Sequence, residues 1–324
     1  YKPGTGPFVL TERTPQESIV LERFDEYWGE AAGVQKVTYR IYEDATALMM
    51  ALKGGSVDVC AHLTSAQTAQ LSDQFSILED TMNLVQAVYL NNAVEPFNNV
   101  KVRQAISYAI DRQTIMDVVF DGHGTAVGSS IYPKLERYFM PELVDYYEYD
   151  PAKAKDLLAQ AGYPDGFDMT ITVSSNYQPH MDTAEVVVQQ LAAIGVRAKV
   201  QPVDATTWYS EAYTNRQFQS TITGLDAKNV TARAMLERFV SDNGKNFMNY
   251  NNPAYDALYH TALNATDEAT QTEAYKAMEQ MLTEDAANLY IQDMADFVAV
   301  RPDLQGYTFY PIYAQDLAKL HYAE

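Results

Sequence analysis

The chain has 324 residues, 47% of them hydrophobic and 20% charged, with 43 acidic against 23 basic side chains and a formal charge of −20. That balance argues against nucleic acid or an anionic membrane surface as a partner, since both are bound through basic side chains, and it does not select a cationic ligand, because surface carboxylates mostly serve solubility. The single cysteine, Cys60, excludes a disulfide within the chain and, inside its apolar run, reads as a small buried hydrophobe.

A chain of this length would bury roughly three quarters of its unfolded surface, and two lobes are expected. There is no stretch of about 18 apolar residues that could span a membrane. Gly4-Thr5-Gly6-Pro7 reads as a turn feeding a strand at 8–11, with a second strand at 18–24. Positions 34–42 alternate as a strand. Asp44 then caps a helix through Ala45, Leu48, Met49 and Leu52 that stops at Gly54-Gly55, and Ser56-Val57-Asp58-Val59 begins the next strand, which makes a βαβ unit. A short helix at 64–71 and strands near 75–78 and at 84–90 follow.

Asn98 or Asn99 can cap one amphipathic helix, in which Val102, Ala105, Ile106, Ala109 and Ile110 form the apolar stripe and Lys101, Arg103, Gln104 and Asp111 the polar side. Asp121-Gly122-His123-Gly124 is a turn in which His123 reads as solvated. The stretch 125–148, rich in Pro and Tyr and without period, reads as a loop on a lobe surface. Asp150-Pro151 caps a helix carrying Ala154, Leu157, Leu158 and Ala161, with Gly162 as its stop. Strand 167–173, helix 181–194 closed by Gly195, and strand 196–203 form a second βαβ unit. Trp208 lies in a short helix before a strand at 218–223 that ends at Gly224, and loop 224–229 leads to helices near 232–240, 253–264 and 267–285. Strands near 289–291 and 297–300 precede a terminal segment.

The wording of several of these stretches is more specific than their periodicity. Asn91-Asn92 followed by Pro96-Phe97-Asn98-Asn99-Val100-Lys101-Val102-Arg103-Gln104-Ala105-Ile106 and Ala109-Ile110-Asp111-Arg112 resembles the signature of the extracellular solute-binding proteins of family 5, the peptide-, nickel- and oligosaccharide-binding receptors of ABC importers. The opening Gly-Thr-Gly-Pro, the Gly54-Gly55 turn with its flanking strands, and Ala161-Gly162-Tyr163-Pro164-Asp165-Gly166-Phe167 are similar to the same family. The resemblance implies a two-lobed α/β fold of the periplasmic-binding-protein kind (type II, cluster C). It also implies an incomplete first lobe, because family members carry a sizeable part of that lobe ahead of Gly4. On this reading residues 1–92 belong to the partial first lobe, 93–290 to the second, and 291–324 return to the first, with Asn91-Asn92 and 289–292 as hinge crossings that permit closure on a ligand.

An enzyme is the rival class. No His-Glu-x-x-His, no Gly-x-Ser-x-Gly, no phosphate loop ending in Lys-Ser or Lys-Thr and no cysteine pair occurs. The histidines, 62, 123, 180, 260 and 321, stand too far apart for a local metal motif, and no catalytic residue, metal or cofactor is assigned. A sensor or adhesion module on the same fold is the alternative to a transport receptor, with a secreted hydrolase behind it.

In the family two second-lobe stretches line the ligand cleft. The first corresponds here to Ser174-Ser175-Asn176-Tyr177-Gln178-Pro179, with Ser175 where dipeptide receptors place an arginine for the ligand carboxylate. The second corresponds to Gly224-Leu225-Asp226-Ala227-Lys228, with Lys228 where peptide receptors place an aspartate for the α-amino group. An ammonium facing Lys228 would meet like charge, so Asp226 serves instead, or Lys228 and Arg233 meet an acidic ligand. Tyr177, Asn176, Asp226, Lys228 and Trp208 are the candidate ligand contacts, Trp208 being either a stacking surface or core. The implied partners are a peptide or other small polar solute and ABC permease subunits. The implied setting is extracytoplasmic, as a monomer held to a membrane only by a lipid anchor outside this chain.

Overall fold

The structure, a computed structural model, describes residues 4–42, 44–227, 229–310 and 315–323. Contacts divide it into two units, one of Tyr1–Asp80 with Asp296–Glu324 and the other of Thr81–Ala295. In chain order the first unit opens with β1 (Phe8–Thr14), β2 (Ser18–Arg23) and β3 (Lys36–Arg40), an antiparallel sheet in that order. Helix α1 (Ala45–Lys53) starts where the Asp44 carboxylate accepts the Ala47 N–H at 2.8 Å and ends at Gly54, as its sequence predicts. Strand β4 (Val59–Leu63), α2 (Ser65–Ala69) with a reciprocal Thr64–Gln67 cap, and β5 (Ser76–Thr81) follow.

The second unit begins with β6 (Leu84–Leu90), every residue of which is buried. The expected single helix is two, α3 (Val100–Ala109) and α4 (Arg112–Phe120), because Ile110 is extended and the Asp111 side chain caps a new helix through the Thr114 N–H. Arg103 is a second correction. It is buried, and its guanidinium donates to the carbonyls of Phe97, Asp285 and Ala286, so it belongs to the packed side of α3. Nor is 125–148 a surface loop throughout. Strand β7 (Thr125–Ala126) joins the sheet, and Ser129, Ser130, Ile131 and Tyr132 are buried behind it.

Helix α5 (Pro151–Gln160), β8 (Asp168–Ser174), α6 (Gln178–Ala192) and β9 (Arg197–Val203) come next, then α7 (Ala205–Thr207), which continues as a π-helical stretch over Trp208–Thr214. Strand β10 (Ser220–Asp226) runs past Gly224, so Asp226 ends a strand and does not lie in a loop. Helices α8 (Ala232–Leu236), α9 (Pro253–Asn264) and α10 (Glu268–Glu284) lead to β11 (Asn288–Asp293). The chain then returns to the first unit as β12 (Ala295–Val300), which lies between β4 and β5, followed by β13 (Leu304–Gln305) and β14 (His321–Tyr322).

The second unit is organised on one six-stranded sheet of order β7-β11-β6-β10-β8-β9. Strands β8 and β9, and β8 and β10, are parallel, while β6 is antiparallel to both β10 and β11. The carboxyl ends of β8, β9, β10 and β11 and the amino end of β6 therefore share one edge. Each face of the sheet carries its own core. Val85, Ala87 and Tyr89 of β6 join Tyr290 and Phe247 on one side, and Val88 and Leu90 join Ile222, Val187 and Ile291 on the other. This is the alternation a strand buried on both faces requires.

The division of the chain differs from the expected boundaries at 92 and 291 because β6 and β11 are hydrogen-bonded inside this sheet. Asn91 and Asn92 are not at a crossing. Their side-chain amides donate to the carbonyls of Phe218 and Arg216, and of Leu90, Met248 and Ala287, which fixes them at the far end of β6 within the second unit. The segments that enter and leave that unit are 81–83 and 293–295, joined by Met82 N–H to Met294 O at 2.8 Å. In the first unit, Val298, Val300, Leu304, Leu317 and Leu320 form a small core. A groove of about 700 Å³ there is bordered by β3 and β4, and Cys60 lines it with its thiol pushed up to about 11 by burial.

Candidate functional site

In an open α/β sheet, ligands bind outside the carboxyl ends of the parallel strands, where backbone groups and turn side chains converge. In the second unit that edge gathers most of the residues singled out above. Ser174 ends β8, buried, with a hydroxyl that has no partner among the described residues. Ser175, Asn176 and Tyr177 form the exposed turn that follows, tied to β9 by Ser175 N–H to Val203 O at 2.8 Å. The Asn176 side-chain oxygen Oδ1 accepts the Ala205 N–H at 3.1 Å, so this side chain joins the turn to the start of α7. Tyr177 is 60% exposed, sits at the cap position of α6 and makes no side-chain cap bond. Its ring is an exposed aromatic surface at that edge.

Asp226 ends β10, the neighbour of β8, opposite Leu84. Across the intervening β6 stands a group that the sequence did not single out. Asp293, the last residue of β11, is buried, and one of its carboxylate oxygens accepts the Leu84 N–H at 3.2 Å. The other has no partner among the described residues. Burial raises the Asp293 carboxyl to about 7, against the opposing pull of the Leu84 N–H, the Thr81 side chain, Lys134 and the Asn83 N–H. Tyr132, fully buried, has its phenol pushed up to about 12, first by burial and then by the charges of Asp293 and Asp226. Two carboxylates and a phenol thus share the carboxyl ends of β10 and β11.

Trp208 is not part of this surface. Its indole N–H donates to Thr221 Oγ1 at 2.9 Å and its ring packs against Tyr213 and Phe247, which is the core arrangement allowed for by the sequence. Lys228 lies outside the described residues. Arg233 is exposed and paired with Glu237 at 3.5 Å. Among the described residues no three His, Cys, Asp or Glu side chains are placed to hold a metal ion, and no helix is long and apolar enough to cross a membrane.

Beneath the exposed turn, on the α6 side of the sheet, lies a polar cluster that sequence reasoning missed. Gln86, His180, Thr183 and Gln292 are all buried and joined by hydrogen bonds of 2.9–3.1 Å. The signal available was a glutamine inside each of two apolar strand runs, Leu84-Val85-Gln86-Ala87-Val88 and Tyr290-Ile291-Gln292. A buried amide in such a run needs a partner and therefore marks a network. Burial holds His180 down at about 4, so its ring is neutral.

Comparison with known proteins accounts for the whole architecture. Residues 2–247 match the family described as bacterial extracellular solute-binding proteins, family 5 middle. Heme-binding protein A of Haemophilus influenzae is 29% identical over 320 residues, which cover 95% of this chain and 57% of that protein. The dipeptide-binding protein of Pseudoalteromonas sp. SM9913, solved with Met-Leu, superposes with a TM-score of 0.84 at 28% identity over 99% of this chain and 64% of its own. The ABC transporter substrate-binding protein CtaP of Listeria monocytogenes does so with a TM-score of 0.90 at 25% identity, over 99% and 67%. The α/β architecture of these structures is the one the sequence implied. The chain spans 57% of the length of the Haemophilus relative.

Proposed function

The chain belongs to the bacterial extracellular solute-binding proteins of family 5, and from that premise we propose that it captures a small peptide-like or other polar solute outside the cytoplasm and hands it to the permease of an ABC importer, with no chemical step. The observation that carries the reading is the shared edge of the second unit's sheet, where exposed Tyr177 and the turn 175–177 stand beside Asp226 at the carboxyl ends of β8 and β10. Tyr177 offers a flat apolar face, and Asp226 offers negative charge to an ammonium group. Asn176 shapes the turn. The alternative to an Asp226–ammonium contact is an acidic group on the solute met by Lys228 and Arg233.

The reading is supported by what the relatives bind, heme in one case and the dipeptide Met-Leu in another. The test is titration of the chain with Met-Leu, glutathione and heme by calorimetry and thermal shift. A ligand present at a hundred times its dissociation constant stabilises the protein by about 2.7 kcal/mol. The expected result is a thermal shift of several degrees with at least one of these, reduced in Tyr177→Ala. Absence of any shift with all three, or a shift that Tyr177→Ala leaves intact, would count against this site.

A further inference from the structure

We infer that Gln86 is a positioning residue for Tyr177, fixing the exposed turn to the centre of the sheet through His180 and Thr183. The inference rests on the proposed reading of Tyr177 as a ligand contact.

The argument begins with the hydrogen-bond directions. Gln292 Nε2 can only donate, and it does so to Gln86 Oε1 at 2.9 Å, which turns the Gln86 amide nitrogen the other way. That nitrogen donates to His180 Nδ1 at 3.0 Å and to Thr183 Oγ1 at 3.1 Å. The His180 ring must therefore present a bare Nδ1 and carry its proton on Nε2. Thr183 Oγ1 in turn donates to the Pro179 carbonyl at 2.7 Å. One amide thus determines a tautomer, a hydroxyl rotamer and the carbonyl of the first turn of α6.

That first turn lacks the usual means of fixation. A helix start is ordinarily held by a Ser, Thr, Asp or Asn side chain bonded to the first N–H groups, whereas Tyr177 occupies the cap position here and makes no such bond. The Tyr177 carbonyl accepts the His180 N–H at 3.0 Å, and its ring lies 5.8 Å from the His180 ring at 42°. The Tyr177 ring accordingly rests on a histidine whose orientation is set from beneath by Gln86.

The surroundings show room made for this network. Gln86 stands directly opposite Gly224 on one side and Gln292 on the other, and the register shift between Tyr290 and Gln292 brings the second amide alongside the first. Gly224 adds no side chain next to the Gln86 amide, and a Cβ there would stand 2.7 Å from Leu84 Cδ1. The face is otherwise apolar, with Val88, Val173, Val187 and Ile222. Two glutamines and a histidine among these side chains give orientation, which an aliphatic replacement would not.

The experiment combines long-range ¹H–¹⁵N spectra of the histidine rings with a double-mutant cycle, using calorimetric titration with Met-Leu, glutathione and heme. In the unaltered protein His180 is expected as the Nε2–H tautomer, without protonation above about pH 5. Gln86→Leu is expected to weaken the bound probe about tenfold, and Gln86→Leu combined with Tyr177→Ala to be no weaker than Tyr177→Ala alone. Should Gln86→Leu not fold, Gln86→Glu keeps the shape and offers His180 a carboxylate, so the His180 titration moves up by more than about one pH unit and the Tyr177 ring signals move with it. Losses that multiply across the cycle, or His180 and Tyr177 signals unchanged in Gln86→Glu, would overturn the inference. If Tyr177→Ala alters no probe's affinity, the ligand reading of the edge fails, and the Tyr177 signals in Gln86→Glu still decide whether Gln86 positions the turn.

Discussion

The Asp293 carboxylate accepts the Leu84 N–H at 3.2 Å, so the segments by which the chain enters and leaves its second unit are tied by one buried acid. The groups facing that acid are the Asn83 N–H, the Thr81 side chain, Lys134 and, with its phenol, Tyr132. Its carboxyl is raised to about 7, against an ordinary value near 4, so the folded state holds the proton more tightly than the unfolded chain. The stability tied to that proton is complete below the unfolded value, falls as pH rises, and is gone once pH passes about 7. Between pH 5.5 and 8 the loss is about 2 kcal/mol. Asp293→Asn is expected to remove that part of the pH dependence, which urea unfolding at the two pH values measures.

Glu279 behaves in the same direction for the same reason, burial. It is fully buried on α10, one oxygen is held by the Ser129 hydroxyl, and the other has no partner among the described residues. Burial raises its carboxyl to about 8, with Ser129 and Lys276 acting the other way. Glu279→Gln keeps an acceptor for the Ser129 hydroxyl without the buried charge. The variant is expected to match the parent at pH 5.5 and to be more stable by about 3 kcal/mol at pH 8.5. Equal unfolding midpoints at pH 8.5 would contradict the assignment.

These acids show where sequence reading reaches its limit. Caps and periodicity located α1, α5, β6 and the β8-α6-β9 unit, because Asp44, Asp150 and the Gly stops act on their own neighbours, but the βαβ unit expected around α1 does not form, since β3 pairs with β2 and β4 with β12 in separate sheets. The break at Ile110–Asp111 was visible in principle, since Asp111 with Thr114 is an ordinary cap, but the apolar stripe running through Ile110 concealed it. Asp226 and Tyr177 were proposed as ligand contacts from the wording of their motifs. Asp293 and Gln86 were not, since what makes them distinctive is burial and a partner more than two hundred residues away, as Asp293 with Leu84 and Gln86 with Gln292 illustrate. Arg103 was placed on the wrong side of its helix because a charged residue is read as exposed until the carbonyls that bury it are known.

Arg103 makes the third prediction. Its guanidinium reaches the Phe97 carbonyl at 2.8 Å and the Asp285 carbonyl, just past the end of α10, at 2.8 Å, with the Ala286 carbonyl at 3.1 Å. Such a fork suits several carbonyls at fixed spacing, and an ammonium does not reproduce it. Arg103→Ala is expected to cost about 3 kcal/mol by leaving buried carbonyls unpaired, and Arg103→Lys to recover less than half of that. Denaturant unfolding of the two variants provides the measurement.

The two aromatic candidates of the ligand reading separate in the structure, and the last prediction follows from that separation. Trp208 is half-buried, its indole N–H is committed to Thr221, and its ring lies against Phe247 in the core. Trp208→Phe therefore loses a hydrogen bond and some packing, about 1–2 kcal/mol of stability, and leaves solute affinity within about twofold. Tyr177 is 60% exposed and makes no cap bond, so Tyr177→Ala should cost under about 0.5 kcal/mol of stability while weakening solute binding about tenfold. Parallel melting and titration of the two variants give opposite pairs of results if the edge of the sheet binds the solute. A Trp208→Phe variant that loses affinity while Tyr177→Ala keeps it would move the site away from that edge.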